Sequence, residues 1–168
     1  MLMFQKRMLD HGWALLPLRL LIGFGFAAHG LAKLGRGPDQ FAAVLSALGI
    51  PTPSLAAWLT TLLELVGGIS VMAGAFVLPL SAPLAAVMLT AMFAVHVPNG
   101  FSSIKLRAVT AAGAEFGAPG YELNLLYLAG LATLCLGGSG PASVDHLLET
   151  RRVQRARTRR GNGERAAA

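Results

Sequence analysis

The chain has 168 residues, of which 54% are hydrophobic and only 13% charged, with a mean hydropathy of +0.59 and a net charge of +6. A soluble domain carries about 25% charged residues, so this composition excludes an ordinary water-soluble enzyme. We read one integral membrane domain over residues 13–148, followed by a basic tail at 149–168.

A membrane span needs about 20 apolar residues, and four segments qualify in chain order: Trp13 to Leu34, Leu55 to Val77, Leu78 to Val97 and Tyr121 to Leu136. The competing reading of the first, a cleaved signal peptide behind Lys6 and Arg7, fits poorly. Arg19 interrupts the apolar run, which also exceeds the roughly 7–15 residues of a signal core. In the first link, Phe41, Val44, Leu45 and Leu48 recur at helical spacing, with Asp39 placed to cap the start and Gly49 and Pro51 to stop it. That pattern predicts a short amphipathic helix lying on the outer bilayer surface. The second link, FVLPLSAP, is short enough to force an antiparallel hairpin, with Pro79 and Pro83 punctuating the turn. The third, residues 101–120, fits either a surface helix or a re-entrant segment.

Seven arginines (Arg151, Arg152, Arg155, Arg157, Arg159, Arg160 and Arg165) crowd the tail, against Lys33, Arg36, Lys105 and Arg107 in the long links. With an even number of spans, the positive-inside rule places both termini in the cytoplasm. The tail reads as disordered and topology-setting. It carries no aromatic residue to stack a base, which argues against nucleic acid as a partner.

Ionisable groups inside the spans carry the functional signal, because each costs at least ~2.5 kcal/mol at a helix centre unless it faces a partner or cavity. Arg19, Gly23, Phe26, Gly30 and Lys33 share one face of the first span, and Gly67 and Gly68 follow Glu64 on the second. At ~1.5 Å per residue, His29, Glu64, His96 and Glu122 all fall in the outer half of a ~30 Å slab, with Lys33 and Asn99 at its rim. These positions predict one polar pocket opening outward, formed by Arg19, His29, Lys33, Glu64, His96, Asn99 and Glu122. Arg19 has two destinations: the cytoplasmic headgroups, or upward toward Glu64. Glu122 and Asn124 have a plainer role available as caps of the fourth span. No metal cluster is expected.

Five motifs in order carry a resemblance. They are Arg19-x-x-x-Gly23-x-x-Phe26-x-x-x-Gly30-x-x-Lys33, Glu64-x-x-Gly67-Gly68, His96-x-x-Asn99-Gly100-Phe101, Gly120-Tyr121-Glu122-x-Asn124, and GSGPASVD from Gly138 to Asp145. Together the chain resembles the DoxX family of small four-span bacterial membrane proteins. The resemblance implies an all-α bundle of four transmembrane helices in the bacterial inner membrane. It also implies a place beside membrane redox complexes of the thiosulfate:quinone oxidoreductase type, in thiol or oxidative stress. It supplies no catalytic residues. Dithiol exchange needs two cysteines, and the only one is Cys135, so the chain alone is at most an accessory oxidoreductase subunit.

Three readings stay open. A quinone or a membrane or periplasmic redox partner binds the pocket, with Phe26 and Phe93 as apolar walls and His96 or Glu64 as the polar end. Alternatively, Glu64 and the cationic rim select a small solute in a transporter or channel, or His29 and His96 hold a b-type haem. The lipid bilayer is a partner in every case, and a homo-oligomer is compatible with each.

Overall fold

The computed structural model describes residues 12–166, with side chains to residue 155. Lys6 and Arg7, and the side chains of Arg157, Arg159, Arg160 and Arg165, lie outside the described residues. The architecture is mostly helical. Helix α1 spans Leu15–Arg36, α2 Pro38–Ala47, α3 Pro53–Ala73, α4 Val77–Ala91, α5 Glu122–Gly137 and α6 Val144–Ala166. One β-hairpin, β1 Leu106–Thr110 and β2 Gly113–Phe116, stands between α4 and α5.

Among the described residues, three helical segments are long and apolar enough to cross a membrane: Leu15–Arg36, Pro53–Ala73 and Val77–Asn99. The fourth, α5, has 16 residues and so extends only about 24 Å. Much of the apolar surface is uncovered by protein, including Leu21, Phe24, Leu31, Leu59, Val66 and Phe93. The core is correspondingly small, formed by Ile22, Phe26, Val71, Val77, Leu84, Met88, Leu131 and Leu134 from four helices.

Helices α1 and α3 run antiparallel in close contact because glycines remove the side chains between them. A Cβ on Gly23 or Gly68 would lie 2.6 Å from a backbone oxygen of the other helix, and one on Gly30 would strike the backbone of Leu65. Small-residue faces of this kind let helix backbones approach where lipid supplies no hydrophobic drive for association.

The turn between α3 and α4 differs from the sequence expectation. Pro79 and Pro83 lie inside α4, and the turn is Gly74 to Phe76. Gly74 adopts φ 68°, donating to Val71 O at 3.0 Å while Ala75 N donates to Ser70 O at 2.8 Å, the paired bonds of a Schellman stop. At its far end α4 continues through a π-helical turn, Met92–His96, into a 3₁₀ turn, Val97–Asn99. Pro98 explains the change, since it has no N–H for the Ala94 carbonyl and its ring would clash there.

Helix α2 has the expected apolar face, but only part of it meets protein: Leu45 is buried with Ala42 and with Ala57 of α3, and Phe41 packs beside them, while Val44 and Leu48 stay exposed. Asp39 makes no capping hydrogen bond. Gly37 at φ 92° and Pro38 in the first turn start the helix instead. Residues 101–120 form no helix and contain the exposed hairpin, Leu106–Thr110 paired with Gly113–Phe116. After the link that follows α5, α6 carries helical backbone from Val144 to Ala166.

Candidate functional site

The seven pocket residues separate into three groups. The central one is a salt bridge between Lys33 Nζ on α1 and Glu64 Oε2 on α3. The side chain of Glu64 is 3% exposed and that of Lys33 23%. The Lys33 ammonium also sits 4.6 Å from the centroid of the Phe41 ring, a cation–π distance. Gly30, one turn before Lys33, lets α1 come close enough to Leu65 for the two charged side chains to meet. His29 is also on this last stretch of α1, exposed on the helix surface.

The second group joins the end of α4 to the start of α5. His96 Nδ1 lies 3.1 Å from the Pro119 carbonyl, to which Asn99 Nδ2 donates at 3.4 Å. Glu122 Oε2 accepts from the Ser103 backbone N–H at 3.0 Å, and Ser103 Oγ accepts from Leu123 N at 3.3 Å. The Phe101 and Tyr121 rings meet edge to face at 5.6 Å. Gly120 is required here, because a Cβ would collide with the carbonyls of Gly100 and Phe101. Glu122 thus ties down the base of the hairpin. Asn124, two residues further on, is buried and donates to Met88 O at 3.4 Å, joining α5 to α4. None of these hydrogen bonds reaches Lys33 or Glu64.

Arg19 belongs to neither group. It is 3% exposed and donates from both terminal nitrogens, to the carbonyls of Ser139 and Ala142 in the link between α5 and α6. This answers the choice between headgroups and Glu64 with a third destination at the opposite end of α1. The same link returns Asp145 to the α3–α4 turn, where its carboxylate accepts from Phe76 N at 2.9 Å and Val77 N at 3.2 Å while its own N–H donates to Gly74 O at 3.0 Å. Asp145 therefore caps α4 from a distant part of the chain and holds Phe76 at φ 54°, a costly conformation for a non-glycine residue. Asp145→Ala should lower stability by about 1–2 kcal/mol, the usual cost of a lost cap. Phe76→Gly in that background should recover part of it. Thermal unfolding in detergent measures both.

The expected aromatic walls also move. Phe26 is fully buried, its ring edge-to-face with Tyr127 at 5.2 Å, and Phe93 is 65% exposed on α4. The ring beside the ion pair is that of Phe41. Its helical spacing was visible in the sequence, but lipid was the expected neighbour of that face, so its place over Lys33 was not. Among the described residues no group of three His, Cys, Asp or Glu is arranged to hold a metal ion.

This geometry brings a cation, a carboxylate and an aromatic ring together between helices, with the exposed His29 imidazole on the same stretch of α1. Neither a curated protein nor a solved structure gives a significant match to the chain. The DoxX family model matches residues 14–97, which covers α1 to the end of α4 and contains Arg19, His29, Lys33, Glu64 and His96. That match extends over half of the chain, and the protein belongs to the DoxX family.

Proposed function

We propose that this is a four-span inner-membrane subunit of a membrane oxidoreductase system, with both termini cytoplasmic, and that the Lys33–Glu64 pair receives the head of a quinone. The observation that carries the reading is the pair itself: a charged couple between two spans, covered by Phe41 and shielded from solvent on the Glu64 side. A buried ion pair is weak evidence for stability, and ionisable side chains within spans mark ligand or proton routes. The residues fit the group. An ammonium has three N–H donors, and Glu64 takes one, leaving donors for a ring carbonyl. Glu64 is the acceptor for a ring hydroxyl proton, Phe41 a flat apolar neighbour, and His29 an exposed imidazole able to exchange that proton. Quinones supply two-electron, two-proton chemistry when bound; this chain's own residues supply position, hydrogen bonds and proton transfer.

The fourth span is supported by packing. The α5 helix lies antiparallel to α1, with Gly130 against Ile22 and Gly137 against Leu15, so its end reaches the level at which α1 begins. A short helix is accommodated by local thinning of the bilayer. Reporter fusions at Ala75 and after residue 165 should accordingly be cytoplasmic, and fusions near Asp39 and Thr110 should be outside. A tail found outside would turn the whole site to the cytoplasmic face.

Binding of a quinone analogue to the protein in liposomes tests the function. Wild type should bind, Glu64→Gln and Lys33→Met should weaken binding by about tenfold or more, the equivalent of one lost charged hydrogen bond, and His96→Ala should leave it unchanged. Absence of quinone binding together with Glu64-dependent solute flux would favour a transporter instead.

A further inference from the structure

We propose that the β1–β2 hairpin is a membrane-docking element whose one apolar face lies in the interfacial layer of the bilayer beside α4 and α5. The register pairs Leu106 with Phe116, Ala108 with Glu115, Val109 with Ala114 and Thr110 with Gly113, with an irregularity between Leu106 and Ala108. Paired residues share a face and neighbours alternate. Leu106, Val109, Ala114 and Phe116 therefore fall on one face, and Ala108, Thr110, Gly113 and Glu115 on the other. The irregularity creates this division. Arg107 is the extra residue of a bulge, and without it Leu106 would sit on the face of Glu115.

Among the described residues nothing covers the apolar face: Leu106 is 59% exposed, Val109 75% and Phe116 61%. A lone two-stranded hairpin is marginal in water at best, and one with an uncovered apolar face needs a surface to complete it. Three observations name lipid as that surface. The hairpin is tied by Ser103, Glu122, Phe101 and Tyr121 to the ends of α4 and α5, which places it at the edge of the bundle. Exposed Phe93, Val97, Phe101 and Ile104 continue the apolar surface of α4 toward β1, with the small Ser102 exposed between the last two. Lys105 and Arg107 flank the apolar residues, as expected where cationic side chains meet headgroup phosphates. Ordered this way, the hairpin fixes the loop that holds His96 and Glu122. The inference rests on α4 crossing the membrane and is independent of any quinone.

Cysteine scanning of the full chain tests it, since Cys135→Ser removes the only native thiol. In that background, Val109→Cys and Thr110→Cys are labelled with an environment-sensitive fluorophore and reconstituted at high dilution in lipid vesicles. The Val109 label should be quenched by lipids spin-labelled near the headgroup and should show several-fold weaker iodide quenching than the Thr110 label. Equal iodide access at both positions, with no quenching by spin-labelled lipid, would overturn the proposal. So would a Val109 label shielded from iodide and from spin-labelled lipid alike, which would assign the face to protein, here a second copy of the chain.

Discussion

Lys33→Met should destabilise the protein by about 3–5 kcal/mol, because it leaves a nearly fully buried carboxylate without its partner. Glu64→Gln should cost less. The Lys33 side chain is 23% exposed and its flexible stem can carry the ammonium toward the interface once Glu64 no longer holds it. The double variant Lys33→Met/Glu64→Gln should recover most of the loss, since neither buried charge then remains unpaired. Equilibrium unfolding in mixed micelles gives all four corners of the cycle. A coupling energy near zero would show that the two side chains do not share an environment in the membrane.

The adjacent glycines of α3 have very different room for a side chain. A Cβ on Gly68 would meet the backbone nitrogen of Ala27 and lie 2.6 Å from the Gly23 carbonyl oxygen, atoms that move only if the helices part. Gly68→Val should therefore cost about 3 kcal/mol, at the upper end of overpacking penalties, and displace Lys33 from Glu64. A Cβ on Gly67 would meet only the methyl groups of Leu84 and Leu63, at 3.5 and 3.6 Å. Gly67→Ala should be neutral to within about 0.5 kcal/mol, helped by the better helix propensity of alanine. Thermal unfolding and gel-filtration monodispersity distinguish the two.

Helical periodicity made part of this legible. Gly23, Gly30 and Lys33 recur on one face of the first span, and that face is the one that meets α3, so the nearness of Lys33 to Glu64 followed from spacing and depth. Arg19 shares the same face, yet its partners are backbone carbonyls of Ser139 and Ala142, which leave no trace in residue identity. The Asp145 cap was hidden for a related reason: it acts on the N–H groups of Phe76 and Val77, in a turn set by Gly74 rather than by the nearby prolines. The hairpin escaped because the bulge at Arg107 breaks the two-residue alternation that signals a strand. His96 ends the π turn Met92–His96. The π turn and Pro98 then direct its ring to Pro119 rather than to Glu64.

The central claim is that the head of a quinone sits against Lys33 and Glu64. A photoreactive quinone, irradiated with the protein in liposomes and mapped by mass spectrometry of the adducts, tests it most directly. The account predicts adducts within residues 29–41 of α1 and α2 and near Glu64, with yield lost in Lys33→Met and competed by unlabelled quinone. Adducts confined to α5 or the hairpin, unaffected by Lys33→Met, would contradict it.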